Sequence, residues 1–320
     1  MRRPDTRPWP ERVASAQASL ARRGHVDPVV AVSTPDGRHS AGDPDLRWEI
    51  GSITKLLTSL LLAELARSGE VRLDDRVPDL LPPGTPLAPK VADITLEHLA
   101  CHRSGLPRLP PGMRGRGLSG TGLLDPYADI DADRLVAGLA ETRVQGVPGA
   151  APVRYANYGV GLLGFLLGRA TGLGFESTLA ARVLAPLGLG GASFLDSPLH
   201  QGRSRGRPVR PWHLAALAGA GGLRASAADL LTYLEAVRDC TGPLAQAIVE
   251  TLRPRVDRGR IRVGLGWFWV GDGDLLLHDG GTLGARSEVR IEPRTGTAVV
   301  VLGDGRGGTA RAAGMVLNPR

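Results

Sequence analysis

The chain has 320 residues, 42% of them hydrophobic, which suits a soluble globular protein with room for a large core. Lys and Arg number 39 against 32 acids, for a net charge of +7, but the arginines are scattered and aromatics make up only 4%, a pattern that argues against a base-stacking nucleic-acid binder. Two cysteines, Cys101 and Cys240, are too few for a disulfide framework, and no run of 18 apolar residues offers a membrane span.

In chain order, residues 9–24 read as an amphipathic helix. The arginines near the start are followed by no apolar core of 7–15 residues, so no export signal is expected and a cytoplasmic location is. Residues 28–32, the Pro35-Asp36-Gly37 turn and residues 38–41 read as a hairpin. Glu49-Ile50-Gly51-Ser52-Ile53-Thr54-Lys55 then opens a helix that is apolar almost all round as far as Gly69. Residues 71–81 form a short amphipathic piece, and 94–99 a capped helix start. Residues 103–126, rich in Gly, Pro and Arg, predict a long loop over a cleft. Helices are predicted over 132–143, 160–170, 175–187 and 227–237, the last capped by Ser226, with a basic Gly-Arg loop at 200–211. Four strands are predicted at the end, over 263–270, 275–278, 287–292 and 297–302. The order is a strand pair, a helical middle and an antiparallel strand cluster.

Three stretches carry chemistry. Ser52 and Lys55 stand three residues apart on one helix face, within hydrogen-bonding reach of each other. Burial and the helix N-terminus both favour a neutral amine, which can take a serine proton. The chain has only two lysines, Lys55 and Lys90; arginine would not release its proton at that position. Tyr155-Ala156-Asn157 ends a loop before a helix, where a phenol and an amide can reach one site; Asn157 as a helix cap is the plainer alternative. His278-Asp279-Gly280-Gly281-Thr282 ends a strand, where glycine lets a substrate lie along the backbone; a hairpin turn with a surface histidine is its alternative.

Together, in this order, the three stretches resemble the S-x-x-K, Y-x-N and H-x-G elements of the serine β-lactamase-like and penicillin-binding family, in the branch of class C β-lactamases, D-alanyl-D-alanine carboxypeptidases and related esterases. Residues 94–107, 219–231 and 289–296 resemble that branch too, so the likeness runs from about residue 28 to 303. It implies an α/β (α+β) fold: an antiparallel sheet flanked by terminal helices, with an inserted all-helical lobe. The expected organisation is one domain of two lobes, 1–55 with 220–320, and 56–219. The resemblance makes Ser52 the acylated nucleophile, gives Lys55 and Tyr155 the acid/base work, and has Asn157 hold the acyl side. It assigns the oxyanion hole to the Ser52 and Gly281 amides, beside Gly280, and puts His278 where members carry lysine. Arg286 either replaces the missing cation or faces solvent.

No cofactor or metal is called for. The expected activity is hydrolysis or acyl transfer on a small-molecule ester, thioester or amide. The alternatives are a β-lactamase or D-alanyl-D-alanine carboxypeptidase, and a non-catalytic sensor of the same fold. The basic stretches 200–211 and 253–262 raise docking of an acidic carrier protein, against a plain solvated surface. Neither a nucleic-acid nor a membrane partner is expected, and oligomeric state is not specified by the sequence.

Overall fold

The computed structural model describes residues 7–113, 125–257, 259, 261–271, 274–305 and 307–317. Part of the expected 103–126 loop, the Asp272-Gly273 turn, and Arg258 and Arg260 of the second basic stretch lie outside them.

Helix α1 (Trp9–Ala21) leads into strands β1 (Val29–Thr34) and β2 (Gly37–Ala41), then β3 (Arg47–Glu49). A 3₁₀ turn, Gly51–Ile53, feeds helix α2 (Thr54–Ser68), which is buried from Thr54 to Leu65 and ends at Gly69 in the left-handed conformation. The next helices are α3 (Leu96–Ala100), α4 (Ala132–Glu141), α5 (Asn157–Thr171) and α6 (Phe175–Leu179), which continues as a π-turn through Leu184. The predicted 200–211 loop holds a small hairpin, β4 (Arg203–Ser204) and β5 (Arg207–Pro208). β6 (Arg224–Ser226) pairs with β3. Helix α7 (Ala227–Asp239) starts at Ser226, whose hydroxyl accepts from the Asp229 amide.

After α8 (Ala245–Leu252) come β7 (Val256–Asp257), β8 (Ile261–Val263), β9 (Phe268–Val270), β10 (Leu275–Gly281), β11 (Ala285–Glu292) and β12 (Thr297–Asp304), and α9 (Thr309–Leu317) follows. The predicted single strand over 263–270 is two strands. Its apolar run is continuous in sequence, but the chain reverses at Gly264–Gly266, with Gly266 at φ +77°.

The eight-stranded antiparallel sheet has the order β2-β1-β12-β11-β10-β9-β8-β7. The N-terminal hairpin thus joins the C-terminal strands through β1–β12, a pairing of residues some 270 positions apart. β12 is buried along its whole length, as expected of a strand covered on both faces. On one face Val30, Val32, Val299 and Val301 pack against Val13, Ala16 and Leu20 of α1 and Ala312, Ala313 and Val316 of α9. The alternate residues, Val29, Ala31, Ala298, Val300 and Leu302, join the main core with α2, α5, α7 and α8. Period-two alternation therefore divides one sheet between two cores. That places α2 under the sheet, with its N-terminus at the end of β10.

Candidate active site

Ser52 sits in the 3₁₀ turn and Lys55 one turn along, in the first turn of α2. The turn is tied down locally: the Thr54 hydroxyl donates to the Gly51 carbonyl at 2.7 Å and accepts from the Leu223 amide at 3.2 Å. Lys55 Nζ donates to Ser52 Oγ at 2.9 Å and to the carbonyl of Ala220. Its side chain has no exposure to solvent. Burial, and secondarily the charge of Arg108, hold its pKa well below the usual lysine range, with Asp279 opposing.

Tyr155 lines the cleft with Ser52, and the centre of its ring lies 5.0 Å from Lys55 Nζ. Burial pushes its phenol upward, so it stands protonated at neutral pH. Asn157 is the first residue of α5 and makes no side-chain cap. Its Nδ2 instead donates to the Tyr127 hydroxyl at 2.8 Å, while its Oδ1 is buried with no partner among the described residues. An unpaired buried acceptor beside a cleft is available to a ligand N–H.

The end of β10 meets the Ser52 turn backbone to backbone. A Cβ added to Gly280 would lie 2.2 Å from the Ile50 carbonyl oxygen, 2.3 Å from Ser287 Oγ and 3.0 Å from the Ser52 nitrogen. A Cβ on Gly51, itself at φ +50°, would lie 2.5 Å from the Gly281 nitrogen. Only glycine permits this approach, which brings the Ser52 and Gly281 amides to one end of the cleft. Ser287 Oγ donates to the Ile50 carbonyl at 2.7 Å and fastens the junction.

His278 lies 2% exposed behind Tyr155, with ring centres 6.2 Å apart, and is not on the cleft wall. Its Nδ1 contacts the Asp279 carbonyl at 2.8 Å. A carbonyl only accepts, so the proton is on Nδ1 and Nε2 carries the lone pair. Burial, with Lys55 adding to it, pushes the ring down to about 3, so it is neutral and has no proton to give at neutral pH. Arg286 lines the cleft rather than turning to solvent, and its Nη1 donates to the carbonyls of Thr282 and Ala285.

The cleft has a volume of about 530 Å³ and brings together Ser52, Tyr155, Asn157, Gly280, Gly281 and Arg286. Sequence reasoning did not single out Arg108, Tyr127 or Trp212, which also line it, and gave no role to Thr282 of the third stretch, which does too. The Arg108 guanidinium stands 5.4 Å from the Tyr155 ring centre. The Tyr127 and Trp212 rings meet edge to face at 5.7 Å. Glu49, buried and with its pKa raised chiefly by burial, accepts from the Trp212 amide at 2.8 Å and so ties the Trp212 wall to the start of the Ser52 turn. Glu49 heads the Ser52 stretch, which was the one signal available for this brace.

The two basic stretches differ. Arg253, Arg255 and Arg262 pair with Glu250, Glu97 and Asp274. Among the described residues no carboxylate lies within ion-pair reach of Arg203, Arg205, Arg207 or Arg210. The β4–β5 hairpin carrying the first three is anchored by the Arg203 amide to the Gly284 carbonyl at 3.1 Å, two residues from Thr282. The described residues contain no group of three His, Cys, Asp or Glu arranged to hold a metal. None of their helices is singly long and apolar enough to cross a membrane; a pair bent by 81°, Asn157–Thr171 with Phe175–Leu184, passes on length and composition only.

The Beta-lactamase family model matches residues 12–316. The chain is 28% identical to Esterase EstB of Burkholderia gladioli over 283 residues, 76% of this chain and 70% of EstB. It is 28% identical over 191 residues to the D-alanyl-D-alanine-carboxypeptidase/endopeptidase AmpH of Escherichia coli, spanning 58% of this chain and about half (47%) of AmpH. In three dimensions it superposes on a class C β-lactamase from Rhodobacter sphaeroides with a TM-score of 0.80 at 23% identity, covering 96% of this chain and 98% of the other. A β-lactamase/D-alanine carboxypeptidase from Pseudomonas syringae gives the same TM-score at 18% identity, over 95% and 98%. The fold is therefore the β-lactamase/transpeptidase-like one, and the chain belongs to the Beta-lactamase family of serine hydrolases.

Proposed function

We propose that the protein acylates Ser52 with an ester, thioester or amide substrate and passes the acyl group to water or to an amine or alcohol. The observation that carries this is the 2.9 Å contact between Ser52 Oγ and a lysine nitrogen with no solvent exposure. Neutral Lys55 takes the Ser52 proton as Oγ bonds to the acyl carbon, and the carbonyl oxygen becomes an oxyanion beside the Ser52 and Gly281 amides. On collapse the carbon–leaving-group bond breaks. The leaving group takes the Tyr155 proton, and protonated Lys55 returns a proton to the Tyr155 oxygen, which leaves both groups as they began. Deacylation runs the same transfers in reverse with the second nucleophile. Similarity to EstB supports the ester reading.

Arg286 favours a second reading, in which the substrate carries a carboxylate, as a β-lactam or a peptide terminus does. Similarity to AmpH is compatible with it. Intact-mass detection of an acyl adduct against p-nitrophenyl esters, thioesters and a chromogenic cephalosporin separates the two. The adduct is expected on wild type and absent from Ser52→Ala; an adduct that survives in Ser52→Ala refutes the assignment. Ligand-dependent melting shifts without any adduct would select the non-catalytic sensor.

A further inference from the structure

His102, three residues before Gly105 in the loop after α3, has no place in the scheme above, yet it touches the Tyr155 segment three times. Its carbonyl accepts from the Arg154 amide at 2.9 Å. Its Nδ1 accepts from the Ala156 amide at 3.3 Å. Its ring lies 4.6 Å from the Tyr155 ring, tilted by 38°. The residues on either side of Tyr155 and one face of its phenol are thus held by a single side chain and its own peptide group.

The way His102 is held is as particular as what it holds. It is 1% exposed and sits at φ +56°, a left-handed conformation that is uncommon for non-glycine residues and in which Asn, Asp and His are enriched. Its amide donates to the Leu99 carbonyl at 3.3 Å, so its position is set by the end of α3, whose start is fixed in turn by the Thr95 cap. A backbone N–H can only donate, so Nδ1 must be unprotonated and the proton must sit on Nε2. The charged and titratable groups facing the ring are Lys55 from α2, His278 from β10 and Tyr155 itself; burial first, then Lys55 and His278, disfavour an imidazolium there and keep Nδ1 an acceptor.

We infer that His102 is a positioning residue: a neutral imidazole of fixed tautomer that clamps the 154–156 segment and sets the distance of the Tyr155 hydroxyl from Ser52. The inference rests on the proposed Ser52 acylation, since Tyr155 matters only if it moves a proton there. Asparagine and phenylalanine divide the clamp. His102→Asn keeps an acceptor for the Ala156 amide and tolerates the left-handed backbone, but removes the ring. His102→Phe keeps the ring and removes the acceptor.

The experiment is a double-mutant cycle in kcat for p-nitrophenyl butyrate, on the full chain, with His102→Phe, His102→Asn and Tyr155→Phe. A misplacement of about 1 Å in a reacting group costs roughly 100-fold, so His102→Phe should lose about that in kcat while KM and the melting temperature move little. His102→Asn should recover part of the loss, and the pH profile of kcat should shift in His102→Phe. In the Tyr155→Phe background the same His102→Phe change should cost almost nothing, because the group it positions is gone. A purely structural histidine predicts equal losses in both backgrounds and an unmoved pH profile, and that result overturns the inference. So does a folded His102→Phe with kcat within threefold of wild type. If His102→Phe does not fold, the His102→Asn cycle decides by the same criterion. Ser52→Ala, run alongside, tells the two claims apart: labelling that survives in it overturns the acylation reading and this inference together, whereas lost labelling with silent His102 variants overturns this inference alone.

Discussion

Gly280→Ala tests whether backbone contact between β10 and the Ser52 turn is what builds the oxyanion site. The added methyl would fall 2.2 Å from the Ile50 carbonyl oxygen and 2.3 Å from Ser287 Oγ. Neither neighbour is a free side-chain end, because Ser287 is itself hydrogen-bonded to Ile50. Relief requires the strand and the turn to separate by roughly 1 Å, which moves the Gly281 amide away from the Ser52 amide. Overpacking of this kind costs about 1–3 kcal/mol of stability, and a displaced oxyanion donor costs about 100- to 1,000-fold in kcat. The assay is p-nitrophenyl butyrate hydrolysis with a melting curve on the same preparation, and Gly190→Ala as the control, since a Cβ at Gly190 meets nothing within 4 Å. A folded Gly280→Ala that keeps half the wild-type kcat would show that the strand end contributes no oxyanion donor.

Lys55→Arg keeps a cation but removes the base, and should lower acylation of Ser52 by about 100- to 10,000-fold at pH 7.5, read by fluorophosphonate labelling. In the wild type the acylation rate should rise with pH as Lys55 loses its proton, with a midpoint below that of an ordinary lysine because its folded pKa is lowered; a rate flat from pH 5 to 10 would remove Lys55 as the base. His102 and His278 are both neutral in the fold and both have lowered pKa values, so the unfolded chain binds protons that the folded chain does not. Their contribution is intact above pH 6.5 and should fall by up to about 1.4 kcal/mol per pH unit for each ring as the pH drops below it, read as urea midpoints at pH 7 and 5. His278→Asn should flatten that slope, and an unchanged slope would mean the ring is protonated in the fold. Arg205→Glu with Arg207→Glu should lower kcat/KM about tenfold, at low salt, for an acyl thioester borne on an acidic carrier protein, and leave the same acyl group on a small neutral thiol unaffected; equal effects on both would exclude the β4–β5 hairpin as a docking surface.

Much of the local structure was legible because it depends on neighbours in the chain. The apolar run after Ser52 predicts a buried helix, and Thr54 to Leu65 are indeed all buried. Ser226 is expected to cap α7, and its hydroxyl does accept from the Asp229 amide, with the Asp229 side chain adding the return bond. Where two structures share one pattern, reading failed: the run over 263–270 is apolar whether it continues or doubles back, and packing chose the reversal at Gly264–Gly266. Helix α8, which no strong cap signal announces, was missed for a similar reason.

The sequence by itself put Ser52 and Lys55 one turn apart and so within reach of each other, while the Ala220 carbonyl, 165 positions on, helps to hold the lysine nitrogen there. It also carried the family likeness, through the order of three short stretches. Only the tertiary structure decided that Arg108 stands over Tyr155, that His278 lies behind that ring and uncharged, that Arg286 turns into the cleft, and that His102 grips the segment on either side of the phenol. Those facts depend on contacts between residues tens to hundreds of positions apart and on the burial those contacts create. Burial, not residue type, sets whether a lysine is a base and a histidine is a cation.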